Sequence, residues 1–173
     1  MKRLAVTIIM FSFLTSALVV AQNKFVGVNT CACHNLAKQG KQVDVWKKTK
    51  HAEAFTVLKS DKAAEYAKAK SITGAPSEAK ECLECHSTGF GQEVDKSFKV
   101  EMGIQCEACH GAASGYKAIH SKPENKEKAI AAGFVAKPEE KVCATCHTSK
   151  MHPVKDFDFK KMWEEIKHPM PKG

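Results

Sequence analysis

The chain has 173 residues, of which 43% are hydrophobic and 27% are charged, a composition that excludes a disordered tail and suits one compact domain. Its formal net charge is +8, but Arg3 is the only arginine among 27 basic residues, which argues against nucleic-acid binding through bidentate contacts to phosphates or bases. The unusual feature is a set of eight cysteines and eight histidines, because both residue types are normally scarce.

The first 21 residues predict a secretory signal peptide. Two basic residues precede a mostly apolar run that ends on Val20 and Ala21, as such peptides require. Threonines and serines interrupt the run, which is at the lower limit for a membrane span, so a retained anchor is the alternative. We expect a mature chain of residues 22–173 that is exported to the periplasm or the cell exterior, with no membrane span and a net charge of about +6.

The cysteines fall in four close pairs, and a histidine follows each pair directly. The four motifs are Cys31/Cys33 with His34, Cys82/Cys85 with His86, Cys106/Cys109 with His110, and Cys143/Cys146 with His147. Disulfides, the ordinary expectation after export, need no such neighbour, and neither does a four-ligand zinc site or a thioredoxin-like redox motif. Covalent attachment of haem c explains both parts, since the thiols add to the vinyl groups and the histidine reaches the iron.

The first motif departs from the other three. One residue, Ala32, separates its cysteines, and Thr30 stands where the first cysteine usually lies. Either both thioethers form in a distorted loop, or one forms while His34 still binds iron. By analogy with the other three motifs we expect a haem here too, which gives four covalently bound haem c groups.

Four haems in about 150 residues would themselves form most of the core. We therefore predict a mainly α, loop-rich multihaem cytochrome c, a single domain wrapped around four packed haems with little β structure. Apolar spacing and helix stops predict helical segments at residues 43–58 behind a cap at Asp44, 61–70, 125–132 and 157–167. Strand evidence is confined to residues 98–101.

Four further histidines bring the total to two imidazoles per haem: His51, His120, His152 and His168. This count favours irons with two histidine ligands, which suit electron transfer rather than bond chemistry. Alternative axial ligands are Met102, Met151, Met162 and Met170.

The sequence resembles the tetrahaem cytochrome c-554 family, whose members carry electrons from hydroxylamine oxidation. The stretches that carry the resemblance are 46–55, 82–92, 103–111 and 143–147, with His120 and the segment leading to His168. Departures are the spacing within the first motif, a longer segment between His34 and Trp46, and a shorter chain.

The resemblance implies a set of distal ligands. It assigns His120 to the haem of His34, His51 to that of His110, and His168 to that of His147. In the family the second haem lacks a distal protein ligand, which leaves His152 for the haem of His86. Because His152 lies only five residues beyond His147, three alternatives stay open: it binds the second haem within its own chain, a neighbouring subunit supplies it, or it is a solvated loop residue that binds no iron.

Three functions stay open at this point. The first is an exported electron carrier whose lysines steer redox partner proteins. The second follows from a further resemblance, to tetrahaem subunits of extracellular cytochrome filaments, in which a histidine donated between subunits builds a homopolymer. The third is a haem enzyme that reduces a small nitrogen oxide at an open second iron.

Overall fold

The computed structural model describes residues 22–168, so the predicted signal peptide lies outside the described residues. Helices and loops make up the described chain. The α-helices are α1 (Gln42–Trp46), α2 (Asp61–Ala69), α3 (Lys80–His86), α4 (Cys106–His110), α5 (Lys126–Ala131), α6 (Glu140–His147) and α7 (Phe159–Ile166). Short 3₁₀ segments are Val28–Thr30, Ala32–Asn35, Ala37–Gln39, Thr56–Lys59, Val100–Met102, Ala113–Gly115 and Pro123–Asn125.

The predicted mainly α, loop-rich fold is confirmed. Within residues 22–168, extended pairing is limited to one isolated parallel bridge between Phe25 and Val94. The prediction of a strand at residues 98–101 is wrong, because Val100–Met102 form a 3₁₀ turn that ends at Gly103. None of the helices in this described part is long and apolar enough to cross a membrane.

Three of the four predicted helical segments form close to their expected bounds, as α2, α5 and α7. Ser60 caps α2 by accepting a hydrogen bond from the Ala63 N–H, and Asp158 caps α7 by accepting one from the Lys161 N–H. Both are side chains that favour helix starts. Gly133, with a φ of 96°, follows α5 as the expected stop.

The continuous helix expected over residues 43–58 is wrong. Asp44 lies inside α1 rather than capping it, and the helix ends at Trp46. The Trp46 indole donates to the Ile104 carbonyl at 2.7 Å, and the Ile104 N–H donates to the His51 carbonyl at 2.9 Å. These long-range bonds hold the segment against the residues before α4, so it turns instead of continuing as a helix.

The apolar core of the described residues is divided into three small clusters. One contains Val26, Ala113, Tyr116 and Ala129, a second contains Val28, Val43 and Trp46, and a third contains Phe55, Leu58 and Leu83. Cys106 packs against the second cluster and Cys82 against the third. The core therefore borders the cysteine motifs directly.

Buried polar side chains join the N-terminal segment to α4. The Glu107 carboxylate accepts from the backbone N–H groups of Val26 at 2.9 Å and Gly27 at 2.7 Å. The Gln105 side chain accepts from the Val28 N–H at 2.8 Å. Since Val28 leads directly into the first motif, these bonds place the first motif beside the third.

Candidate functional site

Three of the four motifs lie on α-helices and end them. α3 carries Cys82, Cys85 and His86, and α4 and α6 carry the third and fourth motifs in the same arrangement. Residues spaced three and four apart share one helix face. Each of these helices therefore presents two thiols and one imidazole on the same side, as attachment of a single haem requires.

The first motif has a different local structure. Ala32–Asn35 form a 3₁₀ helix, in which residues three apart eclipse each other and residues two apart do not. Cys31 and His34 consequently align, whereas Cys33 points elsewhere and is exposed. A hydrogen bond between the thiols of Cys31 and Cys106 lowers the pKa of Cys31.

Thiols from different motifs lie close together. Cys31 of the first motif contacts Cys106 of the third, and a hydrogen bond joins Cys85 of the second to Cys146 of the fourth. Burial raises the pKa of Cys109 to about 11, with the nearby Cys143 adding to the effect. Thiol hydrogen bonds therefore join the first motif to the third and the second to the fourth, and Cys143 of the fourth motif lies near enough to Cys109 of the third to act on its charge.

The eight histidines form four facing pairs, and each pair joins one motif histidine to one of the other four. The ring centroids are 5.9 Å apart in His34/His120 and in His51/His147, 6.0 Å in His110/His168 and 5.6 Å in His86/His152. The Nε2 atoms of His86 and His152 face each other at 3.5 Å.

This geometry fits one metal ion between each pair of imidazoles. Two metal–imidazole bonds of about 2 Å each separate the two nitrogens by about 4 Å. Across residues 22–168, no group of three or more histidine, cysteine or acidic side chains converges as a metal site. Two facing imidazoles leave the remaining ligands to another donor, and the four nitrogens of a porphyrin meet that requirement.

Hydrogen bonds at Nδ1 leave Nε2 free to face the opposite ring. A ligating histidine normally donates its other ring N–H in this way, which fixes its tautomer and orientation. The acceptors are the carbonyls of Ala54 for His86 (2.6 Å), Val135 for His110 (2.6 Å), Lys117 for His120 (3.0 Å) and Ile166 for His168 (2.9 Å), and the Gln42 side chain for His34 (3.2 Å).

Burial favours the neutral form of several of these imidazoles. It lowers the pKa of His51, with the nearby His147 adding to the effect, and it lowers the pKa of His110 and of His147. A neutral imidazole is the form that binds a metal.

Two of the pairs differ from those that the family resemblance implies. His51 faces His147 rather than His110, and His168 faces His110 rather than His147. α7 and the residues before α6 enclose a cavity of about 250 Å³ lined by Trp163, His168 and His110. α7 and the third motif both line this cavity, and His168, just beyond the C-terminal end of α7, lies beside His110.

His34 and His86 face the partners that the sequence analysis assigned to them, His120 and His152. Of the alternatives left open for His152, the structure shows its ring beside His86 of the same chain. The loop after α6 turns back through a hydrogen bond from the Val154 N–H to the His147 carbonyl at 2.8 Å. His152 lies within this closed loop, which brings its ring beside His86.

Aromatic rings that the sequence analysis did not single out pack against the histidines. Phe157 lies over His147 at 5.3 Å, Phe134 lies over His110 at 6.1 Å, and Tyr66 meets His152 edge-on at 5.5 Å. Tyr66 and His152 are 86 positions apart in the sequence. Local spacing carries no signal for contacts of this kind, which depend on the packing of distant segments.

Comparison with known proteins agrees with the motif chemistry. Residues 30–111 match the family described as "Cytochrome c554 and c-prime". "Cytochrome c-554" of Nitrosomonas europaea is 28% identical over 120 residues, an alignment that covers 65% of this chain and 49% of that protein. The chain therefore spans about half the length of the curated relative that it matches. No solved structure matches the chain.

Proposed function

Residues 30–111 of this chain belong to the cytochrome c-554 family, and from this premise we propose that the protein is a tetrahaem electron carrier with two histidine ligands on every iron. The coarser statement, a c-type cytochrome of electron transfer with covalently bound haem c, follows from the family. The observation that carries the proposal is the set of four facing histidine pairs, each of which contains one motif histidine.

The residues present fit the proposed groups. The cysteine pairs of the second, third and fourth motifs would attach three haems, and Cys31 would attach the first haem with or without the exposed Cys33. The eight paired histidines would hold the irons. When bound, haem iron supplies a one-electron change between the ferric and ferrous states. Two imidazoles on one iron keep its geometry nearly constant during that change, which suits electron transfer.

The chain positions the four sites as a continuous series. Thiol hydrogen bonds join the first motif to the third and the fourth to the second, and Cys143 of the fourth motif lies near enough to Cys109 of the third to add to the rise in its pKa. Among the described residues, Nδ1 hydrogen bonds orient the rings of five of the eight histidines, and apolar clusters pack beside Cys82 and Cys106. This arrangement supports one conducting path rather than four independent centres.

The carrier is favoured over the other two functions by the second site. His152 faces His86 at 3.5 Å, so a closed second iron is expected, and a closed iron does not suit reduction of a nitrogen oxide. Because both histidines belong to one chain, no histidine donated by a neighbouring subunit is needed. This is the argument against the homopolymer.

We further propose that the carrier is exported to the periplasm and exchanges electrons with acidic redox partner proteins. The net charge of +8 rests almost entirely on lysine, and lysine-rich surfaces steer partners of opposite charge. Extracellular localisation is the alternative under the filament hypothesis.

Intact mass and spin state test the proposal together. The purified chain is expected to carry four haems that are all low-spin in electron paramagnetic resonance and bind carbon monoxide slowly when reduced. A mass equivalent to three haems, with Cys31 and Cys33 open to alkylation, would contradict the count of four through the first motif alone. One high-spin haem in four would contradict two-histidine coordination and favour the enzyme.

A further inference from the structure

Among the four histidines outside the motifs, His152 is held least by its own segment. His51, His120 and His168 are half-buried, whereas His152 is exposed. The Nδ1 atoms of His120 and His168 donate to backbone carbonyls within their own segments, and the backbone of His51 is fixed by the Ile104 N–H. For the ring of His152, no hydrogen bond apart from the approach to His86 is found within residues 22–168.

Tyr66 is the side chain that restrains this loop. It lies on α2, and its hydroxyl donates a hydrogen bond to the Met151 carbonyl, directly before His152. Its ring also meets the His152 ring edge-on, with centroids 5.5 Å apart and planes at 87°. One side chain therefore fixes both the backbone that carries His152 and the direction of its imidazole.

The helix that carries Tyr66 is itself well anchored. Ser60 caps its start, and Ala67, next to Tyr66, is buried at 3% exposure. Tyr66, His86 and His152 line one cavity of about 410 Å³ that also reaches Cys82. α2 thus forms a fixed wall of the second site, while the loop after α6 supplies the movable ligand.

We propose that Tyr66 is a positioning residue that latches His152 onto the second site. The proposal rests on the proposed function, in which His86 and His152 hold the same iron. With the latch closed, His86 and His152 would both hold the second iron. If the bond to Met151 broke, the exposed loop would move outward, and the iron held by His86 could then bind a small ligand.

The experiment compares holoprotein variants in their reaction with carbon monoxide after reduction. Tyr66→Phe keeps the ring and removes only the hydroxyl. Loss of this hydrogen bond is expected to enlarge the open population about fivefold, the change that about 1 kcal/mol produces. The apparent affinity for carbon monoxide at one haem in four should rise by the same factor, because it scales with the open fraction.

Tyr116→Phe is the matched control. Tyr116 also meets a distal histidine edge-on, His120 at 5.7 Å, but its hydroxyl donates to the Gly111 carbonyl, outside the segment that carries His120. Tyr116 is buried at 5% exposure, so this variant reports the effect of general destabilisation. It should react with carbon monoxide as the wild type does.

His152→Ala sets the upper limit for the reaction with carbon monoxide, because it removes the ligand completely and should make one haem in four fully high-spin. If Tyr66→Phe reacts as the wild type does while His152→Ala opens the site, the latch is wrong and the ligand assignment stands. An equal gain in Tyr116→Phe would also overturn the latch. Tyr66→Leu, which removes the ring as well, should raise the affinity for carbon monoxide more than Tyr66→Phe does. Each variant is compared only after its mass shows four haems.

The wild-type protein tests the proposed function separately. Fewer than four haems in the wild type would contradict the proposed function, and a high-spin second haem in the wild type would contradict both the proposed function and the latch.

Discussion

Glu107 shows how one side chain inside a motif organises the site. It is one of the two residues between Cys106 and Cys109, it is 3% exposed, and its carboxylate accepts from three backbone N–H groups. The donors belong to Val26, Gly27 and Ala113. A buried carboxylate is tolerated when hydrogen bonds replace water in this way. These bonds tie the segment before the first motif to the third motif.

We predict that Glu107→Gln destabilises the holoprotein by about 3 kcal/mol. The amide keeps the size of the side chain, but its NH₂ group would face backbone N–H donors, leaving buried donors without an acceptor. Chemical unfolding followed by circular dichroism measures the change. Glu101→Gln is the control, because Glu101 is exposed and its substitution should stay within about 0.5 kcal/mol. Equal stability of the two variants would contradict the role of Glu107.

At the scale of single residues, the sequence identified the candidate cysteines and histidines because the attachment chemistry imposes a fixed spacing on them. It did not identify Glu107 or Tyr66. The positions between two motif cysteines accept many residue types, and the contacts of Tyr66 join segments 85 positions apart. Such roles depend on three-dimensional packing, which local spacing does not record.

The helices determine which histidines face each other. α7 begins at Phe159 behind its cap Asp158 and ends at Ile166, two residues before His168. Its Trp163 lines the cavity beside His110. The two proximal histidines of the third and fourth motifs each lie under a different ring, Phe134 over His110 and Phe157 over His147. These rings can therefore report which site loses a ligand.

We predict that His168→Ala makes the haem of the third motif high-spin. Because a high-spin iron shifts the resonances of nearby rings strongly, the signals of Phe134 should move in nuclear magnetic resonance spectra while those of Phe157 stay near their wild-type positions.

His51→Ala provides the reciprocal measurement. Since His51 faces His147, the signals of Phe157 should then move and those of Phe134 should not. The opposite result in both variants would restore the pairing implied by the family resemblance.

Helix prediction worked where a segment has its own start and stop signals. α2 and α7 have capping side chains, and α5 ends at a glycine. The segment after α1 carries helical apolar spacing but is turned by bonds to Ile104. Gly103 allows this approach, since a Cβ there would lie 2.6 Å from the His51 carbonyl. Tertiary contacts of this kind override local preference.

The net charge of the whole molecule depends on its cofactors. Each ferric haem with two propionates contributes about −1, so four haems would reduce the mature charge from about +6 to about +2.

We therefore predict that the ferric holoprotein focuses well below the value of about 9.0 that the sequence gives. Isoelectric focusing of the holoprotein measures this, with haem-free protein denatured in urea as the control. Identical migration of the two forms would contradict four bound haems, since their propionates would then be missing.

The pairing of histidines within one chain bears on the proposed assembly state. A histidine donated across a head-to-tail contact makes each site depend on its neighbour, and such contacts extend into filaments when they do not close. Here every motif histidine faces a partner from the same chain. Under the proposed ligand assignment, folding of one chain would be sufficient to build all four proposed sites.

We predict that the holoprotein sediments as a monomer and that all four haems stay low-spin. Neither property should change when the protein concentration is raised about tenfold from the micromolar range. His152→Ala should open one haem and leave the sedimentation coefficient unchanged, because the ligand it removes belongs to the same chain. If a neighbouring subunit donated the histidine, dilution would separate the subunits and create a high-spin haem. His152→Ala would then also break up the assembly. Filaments in negative-stain images of wild-type protein that are absent from His152→Ala would therefore overturn the carrier and establish the polymer.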